Sequence, residues 1–185
     1  SRRPPRPRTR RPSGRSPRER TRPRVNAVTY RARVITVSDR SAAGEREDGS
    51  GPLAVGILRT AGWECPDATI VPDGVDSVAA ALRHAIEDDV DFVVTTGGTG
   101  VAPRDRTPEG AATMLDFEIP GIAEELRRRG LSATAKSVLS RGIVGVTGTT
   151  LVATLPGSSG GVRDGLEYLL ELAPHIVDQL AGGDH

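Results

Sequence analysis

Residues 91–109 read DFVVTTGGTGVAPRDRTPE. The first six, Asp91-Phe92-Val93-Val94-Thr95-Thr96, are apolar enough to be buried on both faces, as a central strand of a parallel sheet is. Thr96-Gly97-Gly98-Thr99-Gly100 follows at once, and consecutive glycines let backbone N–H groups approach an anion without interference from Cβ. A buried strand running straight into a glycine loop points to an open α/β sheet, where ligands bind beyond the carboxyl ends of the strands.

Outward from this strand the chain alternates strand-like and helix-like segments. Arg31–Ser38, Ala68–Val71, Ile143–Val146 and Thr150–Leu155 are short runs rich in β-branched and aliphatic residues. Ser50-Gly51-Pro52 opens a helix that runs to Gly62. Asp76-Ser77 is placed to cap a second, with Val78, Ala81, Leu82, Ala85 and Ile86 on its apolar face. Glu118–Arg129, closed by Gly130, predicts a third. Residues from about Gly161 to Leu180 predict a last helix that Pro174 should kink or split. The order predicts a three-layer α/β/α domain with a mainly parallel central sheet.

The formal charge of +1 over 185 residues joins two unlike parts. In residues 1–24 eleven arginines against one acid, Glu19, give +10; over the remainder 14 basic and 23 acidic residues give −9. Six prolines and almost nothing to bury make residues 1–24 a predicted disordered tail, and residues 25–185 the folded domain. The tail reads either as a solvated leader, which we favour, or as an element that binds nucleic acid by counterion release. The acidic body argues against nucleic acid as a partner, and aromatics at 3% supply few stacking platforms and predict an aliphatic core. One cysteine, Cys65, excludes an intrachain disulfide and suits a reducing compartment. With no membrane-length apolar run and no secretory signal, the expectation is a cytoplasmic protein with no membrane partner.

Four loops after strands carry the candidate chemistry: Ser38-Asp39 with Asp48-Gly49-Ser50-Gly51, then Asp73-Gly74, then Gly97–Glu109, then Pro156–Gly161. The glycine loop is not a P-loop, since it lacks the Gly-Lys-Ser/Thr ending and the only lysine, Lys136, lies far off in sequence. Arg104 and Arg106 can neutralise phosphate oxygens. Asp105 between them reads either as a partner of those arginines or as a hard oxygen ligand for Mg²⁺ bound with substrate phosphates. Asp73 reads equally as a turn residue or as a second carboxylate ligand. His84, His175 and His185 show no metal-ligand spacing, and no serine stands in a Gly-x-Ser-x-Gly elbow, so a covalent hydrolase is not expected.

Taken in order, VITVSDRSAAG (34–44), EDGSGP (47–52), VPDG (71–74), TTGGTG with RDRTPE (95–109), EIPG (118–121), LSRG (139–142) and LVATLPGSSGGV (151–162) resemble the molybdopterin adenylyltransferase family of molybdenum cofactor biosynthesis, over roughly residues 30–181. The resemblance implies that family's α/β fold, usually as a homotrimer. It implies Mg²⁺-dependent transfer of AMP from ATP, as co-substrate, to the terminal phosphate of molybdopterin. Pyrophosphate is released, and the product passes toward molybdate insertion, with a molybdenum insertion protein as a partner.

Asp73 and Asp105 match the family's essential acids, expected to be catalytic and to hold the metal. Gly97, Gly98, Thr99 and Gly100 with Pro156, Gly157 and Ser158 fall where the pterin and its phosphate are held, and Ser140 with Arg141 matches another pocket segment. The same loops add Ser38, Asp39, Asp48, Ser50, Gly51, Thr96, Arg104, Thr107, Glu109 and Ser159 to the expected substrate-binding set. One departure is that many adenylylating members read Pro-Gly-Asn-Pro where this chain has Pro156-Gly157-Ser158-Ser159. The alternative is a non-catalytic trimer that binds molybdopterin to deliver or protect it.

If residues 1–24 are a solvated leader, their deletion leaves nucleic-acid binding at near-physiological salt unchanged in a filter-binding assay; a loss assigns that role to the tail.

Overall fold

A computed structural model describes residues 29–183, so the expectations for the 1–24 tail lie outside the described residues. Six strands form one sheet in the order β2-β1-β3-β6-β5-β4. They are β1 (Ala32–Val37), β2 (Thr69–Val71), β3 (Phe92–Thr96), β4 (Phe117–Glu118), β5 (Val144–Thr147) and β6 (Thr150–Leu155). β2, β1, β3 and β6 are parallel, and β5 is antiparallel to both its neighbours. Thr36 is level with Thr96, and Thr96 with Leu155, so β1, β3 and β6 deliver their following loops to one edge of the sheet.

Successive side chains of these strands enter opposite cores, as the period of two requires. Val34, Phe92, Val94, Leu151 and Ala153 pack beneath α2 (Ser50–Thr60), α5 (Pro120–Gly130) and α6 (Ser159–Leu180). Ile35, Val37, Val93 and Val152 pack beneath α3 (Val75–Glu87) and α4 (Thr107–Ala112). Burial on both faces is why β3 and β6 read as apolar runs without alternation. The cores are aliphatic apart from one cluster, in which Trp63 stacks on Tyr30 and meets the edge of Phe92. No described helix is long and apolar enough to cross a membrane.

The local differences from expectation have tertiary causes. α3 begins at Val75, behind Gly74 with φ +143°, and the Ser77 hydroxyl donates to the carbonyls of Pro72 and Gly74 instead of capping. Glu118 is not helical: Phe117 and Glu118 pair with Val146 and Gly145, and Pro120 starts α5. Gly130 lies inside that helix and right-handed Leu131 follows it. Pro174 does not split the last helix, since Leu169, Ala173 and Val177 on either side of it are all buried against the sheet. Short α1 (Asp39–Ala42), α4 and a 3₁₀ turn (Ala135–Leu139) have too few residues to show a period.

Leu166 is fully buried in the α2–α5–α6 core. Leu166→Ala is expected to cost about 2–5 kcal/mol in chemical denaturation, by transfer and cavity terms together.

Candidate active site

The loops that follow the parallel strands close around a cleft of about 1110 Å³ at the carboxyl edge of the sheet. Its floor is the Thr96–Gly100 turn. Gly97 and Gly98 have φ +97° and +64°, and a Cβ on Gly97 would collide with the Val37 carbonyl. The Gly97 amide donates to the Leu155 carbonyl at 3.0 Å, and the Thr107 amide donates to the Gly98 carbonyl at 3.0 Å. β3 is thereby tied to β6 on one side and to the start of α4 on the other. The last loop leads into α6, whose first turn is capped by Ser158, its hydroxyl accepting from the Gly161 amide at 3.2 Å.

Asp39 and Asp73 form a reciprocal pair: the Asp39 amide donates to Asp73 Oδ2 at 2.8 Å, and the Asp73 amide donates to Asp39 Oδ1 at 3.0 Å. Arg104 closes the arrangement, with Nε and Nη2 donating to the two Asp39 oxygens at 3.0 and 2.9 Å and Nη2 also reaching the Asp73 carbonyl. The Arg104 hydrogen bonds hold the Asp39 carboxyl below the usual carboxylate range. Burial pushes Asp73 up, and the nearby charges of Asp39 and Asp105 push the same way. Asp73 is thus a crowded carboxylate at the cleft wall, bonded on one oxygen to a backbone amide.

Asp105 does not pair with its neighbouring arginines. Arg104 is spent on Asp39 and Arg106 reaches Glu109, while Asp105 Oδ2 accepts the Ala102 amide at 2.9 Å and faces the cleft. Its loop is gripped by Arg141, which donates through Nε to the Gly100 carbonyl at 2.8 Å, through Nη2 to the Asp105 carbonyl and through Nη1 to Glu109. That last bond is the main reason the Glu109 carboxyl lies low. On the α2 side, Asp48 Oδ1 accepts the amides of Ser50 and Gly51, both at 3.0 Å, and so caps α2.

Of the residues expected at the site, Ser38, Asp48, Ser50, Asp73, Thr96–Gly100, Asp105, Ser140 and Pro156–Ser159 line the cleft. Asp39, Gly51, Arg104, Thr107, Glu109 and Arg141 do not; they stand behind it and fix those that do. Thr107 is fully buried against Gly98, with no partner for its hydroxyl among the described residues. The structure adds Thr36, Arg127 and Lys136, which also line the cleft. Distance in sequence concealed Lys136, which the 3₁₀ turn brings to the rim. Thr36 could have been read from its polar side chain near the end of an apolar strand. Among the described residues no three His, Cys, Asp or Glu side chains gather as a metal cage.

The mostly parallel α/β architecture agrees with that of known proteins. Residues 33–175 match the family described as "Probable molybdopterin binding domain", and the chain belongs to that family. It is 44% identical over 154 residues to a molybdenum cofactor biosynthesis bifunctional protein of Synechococcus elongatus, covering 83% of this chain and 48% of that one. It is 40% identical over 154 residues to a molybdopterin adenylyltransferase of Pyrococcus furiosus, covering 80% of this chain and 90% of that one. The solved molybdopterin biosynthesis Mog protein of Mycobacterium ulcerans superposes with TM-score 0.78 at 45% identity, over 82% of this chain and 99% of that one. The chain thus spans about half the length of its bifunctional relative and nearly all of the other two.

Carboxyl titration by NMR is expected to place Asp39 below and Asp73 above the ordinary value of about 3.9, and Arg104→Ala to raise both, because Arg104 lowers each. The signs differ in stability. Asp39 stabilises above its unfolded value and loses that contribution as pH falls through its folded one; Asp73 disfavours the fold once pH rises through its raised value.

Proposed function

We propose that this protein acts in molybdenum cofactor biosynthesis, transferring AMP from Mg²⁺-bound ATP to the terminal phosphate of molybdopterin. The observation that carries this reading is Asp73 facing the same cleft as Asp105 beside a glycine floor, its affinity for a proton raised by burial and by the charges of Asp39 and Asp105. A divalent cation at these two acids relieves that repulsion. Among the described residues no third His, Cys, Asp or Glu joins these two hard carboxylates, a pair that suits Mg²⁺, which takes one or two carboxylates and completes its shell with phosphate oxygens and water. When bound, the ion supplies neutralisation of the triphosphate.

The remaining work belongs to the chain. A phosphate oxygen of molybdopterin forms a bond to the α-phosphorus of ATP as the bond to the bridging β-phosphate oxygen breaks, so adenylyl-molybdopterin forms and pyrophosphate leaves. The attacking oxygen is already an anion, and no protein nucleophile or base is needed. The requirement is that two anions be held in line, a matter of positioning and electrostatics. The Gly97 amide is spent on Leu155 and the Gly161 amide on Ser158, which leaves the neighbouring amides of Gly98, Thr99 and Gly100 and those of Ser159 and Gly160 to meet phosphate oxygens, and Lys136 and Arg127 also line the cleft. Arg141 keeps the Asp105 loop in place from behind. The Pyrococcus furiosus relative's name supports the same reaction.

The test is pyrophosphate release with Mg²⁺, ATP and molybdopterin together. Asp73→Asn and Asp105→Asn are each expected to lower kcat about a hundredfold or more, with melting temperatures near that of the parent. Pterin bound without ATP binding or turnover overturns the reaction and leaves the delivery role.

A further inference from the structure

Lys136 is the only lysine among 25 basic residues, and the reaction proposed above asks nothing of it that an arginine would not supply. It stands on the 3₁₀ turn Ala135–Leu139 and lines the cleft. The backbone there is fixed, since the Lys136 amide donates to the Thr134 hydroxyl at 3.3 Å and the Ser137 hydroxyl donates to the Arg127 carbonyl. The side chain is not fixed. It is exposed, and its ammonium group has no protein partner among the described residues.

The neighbouring arginines are engaged. Arg104 is held by Asp39, Arg106 and Arg141 by Glu109, and Arg127 donates to the Gly142 carbonyl at 3.0 Å. Five acids line the cleft against three bases, Arg46, Arg127 and Lys136, so a space suited to phosphates has few positive charges to lose. The bases also differ in chemistry. A guanidinium stays protonated and is no nucleophile near neutral pH, whereas a lysine amine releases its proton more readily and attacks activated acyl groups. An acyl phosphate brings its own phosphate to a cleft with free backbone amides, and Lys136 is the one side-chain amine there to meet its carbonyl. Val138 and Leu139, beside Lys136, are 57% and 50% exposed and give a short acyl chain apolar surface to rest on.

We propose that Lys136 is an acylation site, and that its modification by a short-chain acyl phosphate lowers the affinity of the cleft for phosphate ligands. The free amine forms a C–N bond to the acyl carbon. The bond from that carbon to the phosphate oxygen breaks, its electron pair leaves with the phosphate, and the nitrogen gives up a proton to water. The amide left on Lys136 is neutral, so five acids then face two bases. The proposal rests on the reading of the cleft as a phosphate site but not on AMP transfer.

The test treats the full chain with acetyl phosphate, locates the added mass by peptide mass spectrometry and measures equilibrium binding of inorganic tripolyphosphate with Mg²⁺ before and after. Lys136 is expected to gain the acetyl group, more slowly when tripolyphosphate is present. Affinity is expected to fall about tenfold at low salt, the worth of one charge-assisted hydrogen bond. Lys136→Arg is expected to show no change in affinity on the same treatment, which separates the effect from acetylation of the α-amino group. Lys136→Gln is expected to bind as weakly as the acetylated parent while melting at the parent's temperature. No acetyl group on Lys136, equal affinity before and after, a rate that tripolyphosphate does not slow, or an equal fall in the treated Lys136→Arg protein overturns the proposal. Tripolyphosphate binding by the unmodified chain without pyrophosphate release from ATP and molybdopterin overturns the transferase reading alone.

Discussion

The arrangement at the cleft depends on how closely three strand ends can approach. Gly97 lies so near the Val37 carbonyl that a single added carbon would not fit, and Gly157 approaches the Gly97 Cα, where a Cβ would sit at 3.2 Å. Gly97 admits no side chain at its crossing, and at Gly157 the neighbouring backbone would have to give by a few tenths of an ångström to admit one. Because both are glycine, the turns after β1, β3 and β6 lie against one another instead of being spread along the sheet edge. Backbone amides and carboxylates from distant parts of the sequence then share one small space. A side chain at Gly97 would separate the β1 turn from the β3 turn, and with it Asp39 from the loop that carries Arg104.

A second layer of residues makes that closeness tolerable. Asp39, Asp73 and Asp105 would repel one another if left alone, and the elevated proton affinity of Asp73 reflects its burial first and that repulsion second. Arg104 and Arg141 act from behind, one on the Asp39 carboxylate and one on the backbone and on Glu109. Neither arginine occupies the cleft. The positive charge is placed to hold the acids in position without filling the space a cation and phosphates would need. Exposed ion pairs contribute little to stability individually, so the value of these two lies in geometry.

The fold was legible in the sequence because the central strands are buried on both faces, which leaves continuous apolar runs at Phe92–Thr96 and Thr150–Leu155. The loops were legible for a related reason: glycine and acidic residues immediately after such runs have few structural explanations. What the sequence could not convey was which polar residue faces inward. Asp48 and Asp39 look alike as residues in polar loops, yet one lines the cleft and the other supports Asp73 from outside it. Those roles are set by partners 12 to 65 residues away. β4 was missed because pairing with β5, and not the local pattern, decides the conformation of Phe117 and Glu118.

The single reversed strand has a topological consequence. Because β5 runs against its neighbours, its entry, and not its exit, lies at the edge where the parallel strands end. Residues 140–142 therefore approach the glycine turn from the far side, and the Arg141 amide donates to the Thr99 carbonyl at 2.8 Å. The opposite end of β5 is the tight turn through Gly148, whose surroundings are open. Two ends of one four-residue strand thus differ in how much change they can absorb. The chain can be lengthened at the Gly148 turn with the sheet between the insertion and the cleft, whereas one residue added before Val144 would shift the arginine that registers the Asp105 loop.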